Sequence, residues 1–273
     1  MLRSTTELSG CTIGATDGPI GSVKDVYFDD DKWVVRYLIV ATGEWLSSRK
    51  VLISPMAIGE ANWVKKILPV SITRTQVRAC PGVDTEKPVS RQLEMDHLGH
   101  YGYPNYWDGG DLWGMGATPH LLMSGMGYAG TGPERAERRA QAEKARLEAE
   151  AAIAERQQRG NHHLRSGATV MHYRLHASDG DLGHIQDFLF DEESWAIRFM
   201  IVNTRNGWLD HHVLVAPQWI TGFNWGKRVA TVDLTRDEVE QSPPYKIGME
   251  IDRQEELRVY RHYCKTADRV DSV

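Results

Sequence analysis

The 273-residue chain carries 11 histidines, and these are the first side chains to weigh for chemistry. They include the pairs His162-His163 and His211-His212, with His172 and His176 close by in sequence. A metal centre needs ligands that converge from fixed positions and are themselves held by neighbours. His172 and His176 are expected on one side of a strand, but no spacing here matches a known ligand pattern, and His162-His163 reads as a solvated loop pair. The acidic runs Asp29-Asp30-Asp31 and Asp191-Glu192-Glu193 lack the alternating ligands, central glycine and distant glutamate of a calcium loop, so they read as solvated hairpin tips. Cys11, Cys80 and Cys264 are far apart, odd in number and without a CxxC, so they support neither a disulfide framework nor a zinc ribbon. A GxSxG elbow and a Walker loop are both missing from the sequence, and no two carboxylates are expected buried side by side. The expectation is a chain with no catalytic residue, no metal and no cofactor.

Binding chemistry is a different matter. Tyr103, Tyr106, Trp107, Trp113, Met115, Met123 and Met126, with Tyr101 and Tyr128 at the ends, crowd a stretch rich in glycine and poor in charge. Such side chains dominate interfaces when they are buried against a partner. Two readings stand: the segment packs onto the chain's own domains, or it docks a partner protein.

The elements that would position these residues occur twice. "DGPIGSVKDVYFDDDKWVVRYLIV" (17–40) and "DGDLGHIQDFLFDEESWAIRFMIV" (179–202) align at a constant offset of 162 positions, and the register continues to His100/His262 and Tyr101/Tyr263. Each copy alternates apolar and polar residues, passes an acidic turn and enters an aromatic-led apolar run, which is the pattern of a β-hairpin. Val23, Val26 and Phe28 are expected on the buried face, opposite Lys24, Asp25 and Tyr27. Shorter runs follow, giving five or six short strands per copy. Asp17-Gly18 and Asp179-Gly180 supply the backbone freedom of a tight turn, and Gly21 and Gly183 allow a close backbone approach where a small sheet curls. These glycines precede a strand rather than a helix, so they form no phosphate loop. Each copy then closes with a short helix, capped by Ser90 or Asp252, whose buried face is expected to hold Met95, Leu98 and Tyr101, or Leu257, Tyr260 and Tyr263.

The organisation expected is a β-rich domain with trailing helix at 1–101, a Gly/aromatic/Met linker at 102–132, a charged helix at 133–160, a second β-rich domain with trailing helix at 161–263 and a tail at 264–273. Thr131 and Glu134 around Pro133, an Ala/Glu/Arg-rich body and Gly160 mark that helix, whose apolar positions are mostly alanine, so it reads as a spacer. Lysines and arginines against acids number 12 to 12 over 1–101, 7 to 8 over 102–161 and 13 to 17 over 162–273, which sums to a net charge of −5. No segment forms a basic arm or stripe, so nucleic acid is not an expected partner. The apolar runs are far shorter than a membrane span and the N-terminus has no signal-peptide run, so a cytoplasmic protein without a transmembrane segment is expected.

Taken together, the DGxxG turn, the V-x-D strand, the acidic turn, the aromatic-led strand ending in valine and the following "[LI]-[LV]-x-P" run resemble the PRC-barrel family. That family includes the cytoplasmic domain of the photosynthetic reaction-centre H subunit and the C-terminal barrel of a ribosome maturation factor. The resemblance covers both copies, and "SRQLEMDHLGHYGYPNYW" is similar to the tails of free-standing members. It implies a mainly β protein with helices: two small barrels, each with a trailing helix, that dock proteins rather than perform chemistry. The expected function is a non-enzymatic scaffold or adaptor with protein partners or self-association. The alternatives the resemblance implies are a peripheral component of reaction-centre electron transfer at a membrane complex, or a ribosome-assembly adaptor. Neither the membrane helix with which H subunits begin nor the N-terminal domain of the ribosome factor is expected from this sequence.

Overall fold

A computed structural model describes residues 1–47, 49–83, 89–125, 163–204 and 211–263. The charged helix expected at 133–160, Met126, Tyr128, His162 and the tail with Cys264 lie outside the described residues. The strands begin with β1 (Leu2–Ser4), β2 (Thr12–Ala15), β3 (Gly18–Asp29), β4 (Val34–Ala41), β5 (Lys50–Ile53) and β6 (Ile67–Pro69). They continue with β7 (Leu164–Ser166), β8 (Arg174–Ala177), β9 (Gly180–Asp191), β10 (Ile197–Asn203), β11 (His212–Val215), β12 (Ile220–Asn224) and β13 (Val229–Val232). The protein is mainly β with short helices, and its strands form two mixed sheets.

One sheet runs β5-β4-β3-β2-β6 with β7 beside β3, and the other runs β11-β10-β9-β8-β13-β12 with β1 beside β9. Along the two strand orders neighbours are antiparallel apart from the parallel pairs β2/β6 and β8/β13, and β1 runs antiparallel to β9. The hairpin patterns place β3 against β4 and β9 against β10, as the alternation and the acidic turns require. Val23, Val26 and Phe28 are buried, and Tyr27 joins them, because β4 is buried from Val34 to Val40 on both of its faces. Trp33 and Trp195 do not start the second strands. Both sit at positive φ (55° and 61°) and close the acidic turns just before β4 and β10.

The division into compact units differs from the boundaries the repeat suggests. One unit comprises Leu8–Arg165 with Glu193–Trp195, here the first-copy unit; the other comprises Met1–Glu7, Ser166–Glu192 and Ala196–Val273, here the second-copy unit. The N-terminal strand therefore serves the second copy: Leu2, Arg3 and Ser4 pair with Asp191, Phe190 and Leu189 of β9. Its counterpart β7 pairs with β3. Both strands read Leu-Arg-Ser and stand 162 positions apart. In the second-copy unit Asp187 fixes the exchanged strand by accepting from the hydroxyls of Ser4 and Thr5, the latter at 2.5 Å.

Asp17 and Asp179 do more than begin a turn. Each carboxylate accepts the first backbone amide of a short helix, Arg74 N at 2.7 Å and Arg236 N at 2.8 Å. Those helices, Arg74–Ala79 and Arg236–Glu240, begin with capping boxes, Thr73/Gln76 and Thr235/Glu238. Gly18 and Gly180 adopt φ of 133° and 152°, a region that strains any residue with a side chain. The trailing helices span Arg91–Tyr101 and Arg253–His262 and are capped by Ser90 and Asp252 as expected. Their buried faces match the expected ones in part, since Leu98, Tyr260 and Tyr263 are buried and Tyr101 and Leu257 are half-buried. Met95 is 45% exposed while Glu94, His97 and Leu98 are buried, and in the second helix Glu256, Val259 and Tyr260 are buried.

Candidate interaction site

A cluster of ionisable and aromatic groups lies in the first-copy unit, where charged residues stand in apolar surroundings. Arg36 occupies the middle of β4, and its side chain has no exposed surface. One terminal nitrogen, Nη2, meets Asp29 Oδ2 at 3.2 Å, across the hairpin turn. The guanidinium lies 4.1 Å from the ring centre of Tyr106 and 4.7 Å from that of Trp113. No hydrogen-bond acceptor reaches its Nε or Nη1, so the aromatic faces stand in for water over much of this cation.

The trailing helix supplies the next layer. Arg91 and Glu94, one turn apart, meet at 3.2 Å. Arg91 Nη1 also donates to the Tyr106 hydroxyl at 3.1 Å, and its guanidinium lies 3.9 Å from the Trp107 ring. The Tyr106 hydroxyl donates to Glu94 Oε2, and His163 Nε2 reaches Glu94 Oε1 at 2.8 Å. Trp113 Nε1 donates to the carbonyl of Ser194 at 2.7 Å, and Lys32 Nζ donates to the carbonyls of Asp111 and Gly109. Every one of these groups belongs to the first-copy unit.

Burial raises the Asp29 carboxyl, but Arg36, the Asp31 amide and His163 together outweigh it and hold this group below its ordinary value. Burial raises the Asp30 carboxyl, with Arg165 at 2.7 Å opposing. The Tyr37 and Tyr106 hydroxyls are pushed well above the usual phenol value by burial and then by Glu94, so both remain neutral. Burial acts to lower the Arg91 guanidinium, yet Tyr106 and Glu94 raise it overall. The result is a stack of paired charges and rings packed on one another.

Several expectations are corrected here. Asp29 is not a solvated hairpin-tip acid: it is 7% exposed and bound to Arg36. The carboxylates of Asp29, Asp30 and Asp31 approach one another within 4.8 Å, but Asp29 is engaged by Arg36 and by the amide of Asp31, and Asp30 by Arg165. His163 is likewise drawn out of solvent by Glu94. His172 precedes β8 at φ 78° and does not share a strand face with His176, which pairs with Asp181 at 2.7 Å. Tyr106 and Trp113, expected as partner-docking residues, are 1% and 0% exposed; the Arg36 guanidinium gives them an internal surface to cover. Tyr103, Trp107 and Met123 are half-buried, and Met115, at 68%, keeps most of its surface outside. Buried charge is the signal that composition alone hides, and its trace in the sequence is an arginine inside the run "WVVRYLIV".

Residues 3–76 match the family model of the PRC-barrel domain. The first copy therefore carries a PRC-barrel domain over most of its length. No curated protein matches it. The matched span begins at Arg3, so its opening strand is the one that pairs with β9 in the second-copy unit. Among the described residues no helix is long and apolar enough to cross a membrane.

His97 of the trailing helix provides a pH prediction. Burial pushes its imidazole down to about 4, against an ordinary value of 6.5, while Nε2 donates to the Leu52 carbonyl at 3.0 Å. Because the folded-state value is the lower one, the neutral ring's contribution is complete above pH 6.5. It is lost as pH falls toward 4, by about 3 kcal/mol in full. The second copy has valine at the equivalent position 259. Replacing His97→Val should lower stability at pH 7, through the lost hydrogen bond, and flatten the decline between pH 6.5 and 4. Urea unfolding at pH 7 and pH 4.5 measures both; an unchanged decline in the variant would place the acid sensitivity elsewhere.

Proposed function

We propose that the chain is a non-enzymatic scaffold that holds partner proteins, built from two PRC-like barrels on one polypeptide and working in the cytoplasm. The observation that carries this reading is how the candidate chemistry is used. The buried set of ionisable side chains described above, Asp29, Arg36, Arg91, Glu94 and His163, is paired within itself and roofed by Tyr106 and Trp113. A catalytic set needs a face toward substrate, and this one faces the chain's own aromatic rings. PRC-barrel domains often mediate protein interactions, which fits a module kept in duplicate. Two docking modules on one chain raise the effective concentration of whatever the second one binds.

The test is affinity capture of the intact chain from its native lysate, read by mass spectrometry beside an unrelated bait and a surface variant, Met115→Asp with Leu121→Asp. Both side chains are more than half exposed in the first-copy unit. Deleting the whole aromatic segment is a poor comparison, since it removes the cover of Arg36. The expected result is a partner captured in stoichiometric amount by the intact chain. Enrichment of nothing beyond the unrelated bait would contradict the scaffold reading.

A further inference from the structure

The second copy keeps the charged framework of the cluster without its aromatic filling. Shifting Arg36, Arg91 and Glu94 by 162 positions gives Arg198, Arg253 and Glu256. In the second-copy unit Arg253 meets Glu256 at 3.3 Å, as Arg91 meets Glu94, while Arg198 meets Glu256 at 3.5 Å where Arg36 meets Asp29. The aromatic residues are not. At the places of Tyr-Pro-Asn-Tyr-Trp, 103–107, the sequence has Lys-Thr-Ala-Asp-Arg, 265–269, which lie outside the described residues.

A cleft of about 310 Å³ opens among the described residues of this unit, lined by Leu2, Asp191, Glu250, Ile251, Arg253 and Glu256. Asp191, Arg253 and Glu256 are the counterparts of Asp29, Arg91 and Glu94, of which Arg91 and Glu94 bond the Tyr106 hydroxyl in the first copy. Arg198 stands behind the lining, against Glu256 at 3.5 Å, and its side chain is 23% exposed where that of Arg36 is fully covered. The rim is also more acidic than its counterpart, with Glu250 and Asp252 in the places of Pro88 and Ser90.

We infer that this cleft binds a tyrosine- and tryptophan-bearing segment of a partner protein, flanked by basic residues. The tyrosine hydroxyl bonds Arg253 and Glu256, as Tyr106 bonds Arg91 and Glu94, and an aromatic ring covers Arg198. Lysine or arginine flanks meet Glu250 and Asp252. The inference rests on the scaffold reading and adds to it the docking surface and the chemistry of the guest.

The probe is a dye-labelled peptide, Lys-Lys-Tyr-Pro-Asn-Tyr-Trp-Lys-Lys, titrated into the full chain and read by fluorescence anisotropy. Saturable binding is expected, weakened at least about tenfold by Arg198→Ala, by Glu250→Lys, and by alanine in place of the peptide's second tyrosine and its tryptophan. Lys65→Ala, exposed on the other unit, should leave it unchanged. Glu250 is exposed, so its variant tests the cleft without disturbing the core should Arg198→Ala fold poorly. No saturable binding, or binding indifferent to both variants, would overturn the inference. So would binding that appears only after residues 264–273 are removed, which would assign the cleft to the chain's own tail. Partner capture that persists in Arg198→Ala, with no peptide binding, would remove the cleft while leaving the scaffold reading intact; loss of all capture in the wild type would remove the reading itself.

Discussion

Arg36→Ala is expected to destabilise the first-copy unit by about 3–5 kcal/mol, the range typical of breaking a buried ion pair from one side. The substitution leaves Asp29 buried without its principal cation and removes the plate on which Tyr106 and Trp113 lie. The loss should depend on pH in a definite sense. In the native chain the lowered Asp29 value contributes stability above its unfolded value of about 4. Without Arg36, burial acts against the ionised form with less opposition, so the deficit is largest near neutrality and shrinks as pH falls toward 4. The second copy supplies an internal control. Arg198 is partly exposed, and Arg198→Ala should cost about 1 kcal/mol or less. Urea unfolding of the two variants at pH 7 and pH 4.5 measures the contrast; equal losses at the two positions would contradict the role assigned to the aromatic cover.

Gly21→Ala is the second large effect. A Cβ at position 21 would lie 1.9 Å from the carbonyl oxygen of Ala41 and 2.8 Å from its carbon, both backbone atoms of the paired strand β4. No side-chain rotation relieves that overlap, so β3 and β4 must separate where Ser22 pairs with Ala41. A loss above about 4 kcal/mol is expected, enough to unfold the unit or leave it insoluble. Gly183→Ala meets the Asn203 carbonyl oxygen at 2.0 Å and adds a φ of 141°, so it should be at least as damaging to the second-copy unit. Gly14→Ala is the comparison: its nearest neighbour would be an Ile67 methyl at 3.6 Å, and little change is expected. Thermal unfolding of the three variants reads the order directly, and a Gly21→Ala chain as stable as Gly14→Ala would contradict the close approach.

Much of this fold is legible in the residues because local chemistry and global arrangement agree. The two hairpins follow from alternation and acidic turns, and Ser90 and Asp252 mark helix starts that the backbone uses. The exchange of strands is not legible in the same way. Leu-Arg-Ser stands at both 2–4 and 164–166, and two identical strands carry no local preference between two nearly identical hairpins. What local chemistry offers is Thr5 against Gly167: the hydroxyl that helps hold the N-terminal strand on Asp187 is present in only one of them.

The buried charges were hidden for a different reason. Arginine and glutamate lie on surfaces by default, so Glu94 reads as a solvent-facing helix residue and Met95 as a core one, the reverse of their burial. Periodicity assigns a face by counting apolar residues, and it fails where an ion pair lines that face. The aromatic segment shows the same limit. Tyr106 and Trp113 read as interface residues because nothing apolar nearby demands them, and their partner is a guanidinium from a strand about 70 residues earlier. That pairing also makes sense of the second copy, where the guanidinium remains and the rings do not follow it in sequence.

The claim that this chain works by holding other proteins is tested most directly by its mass in native form. The tagged chain, released gently from its own cells, would be passed over a sizing column with light scattering, and the peak identified by mass spectrometry. The account predicts a complex in which a second protein is present at fixed ratio, and in which Arg198→Ala lowers that ratio while the chain stays folded. A peak containing only the chain, at its own mass, would contradict it.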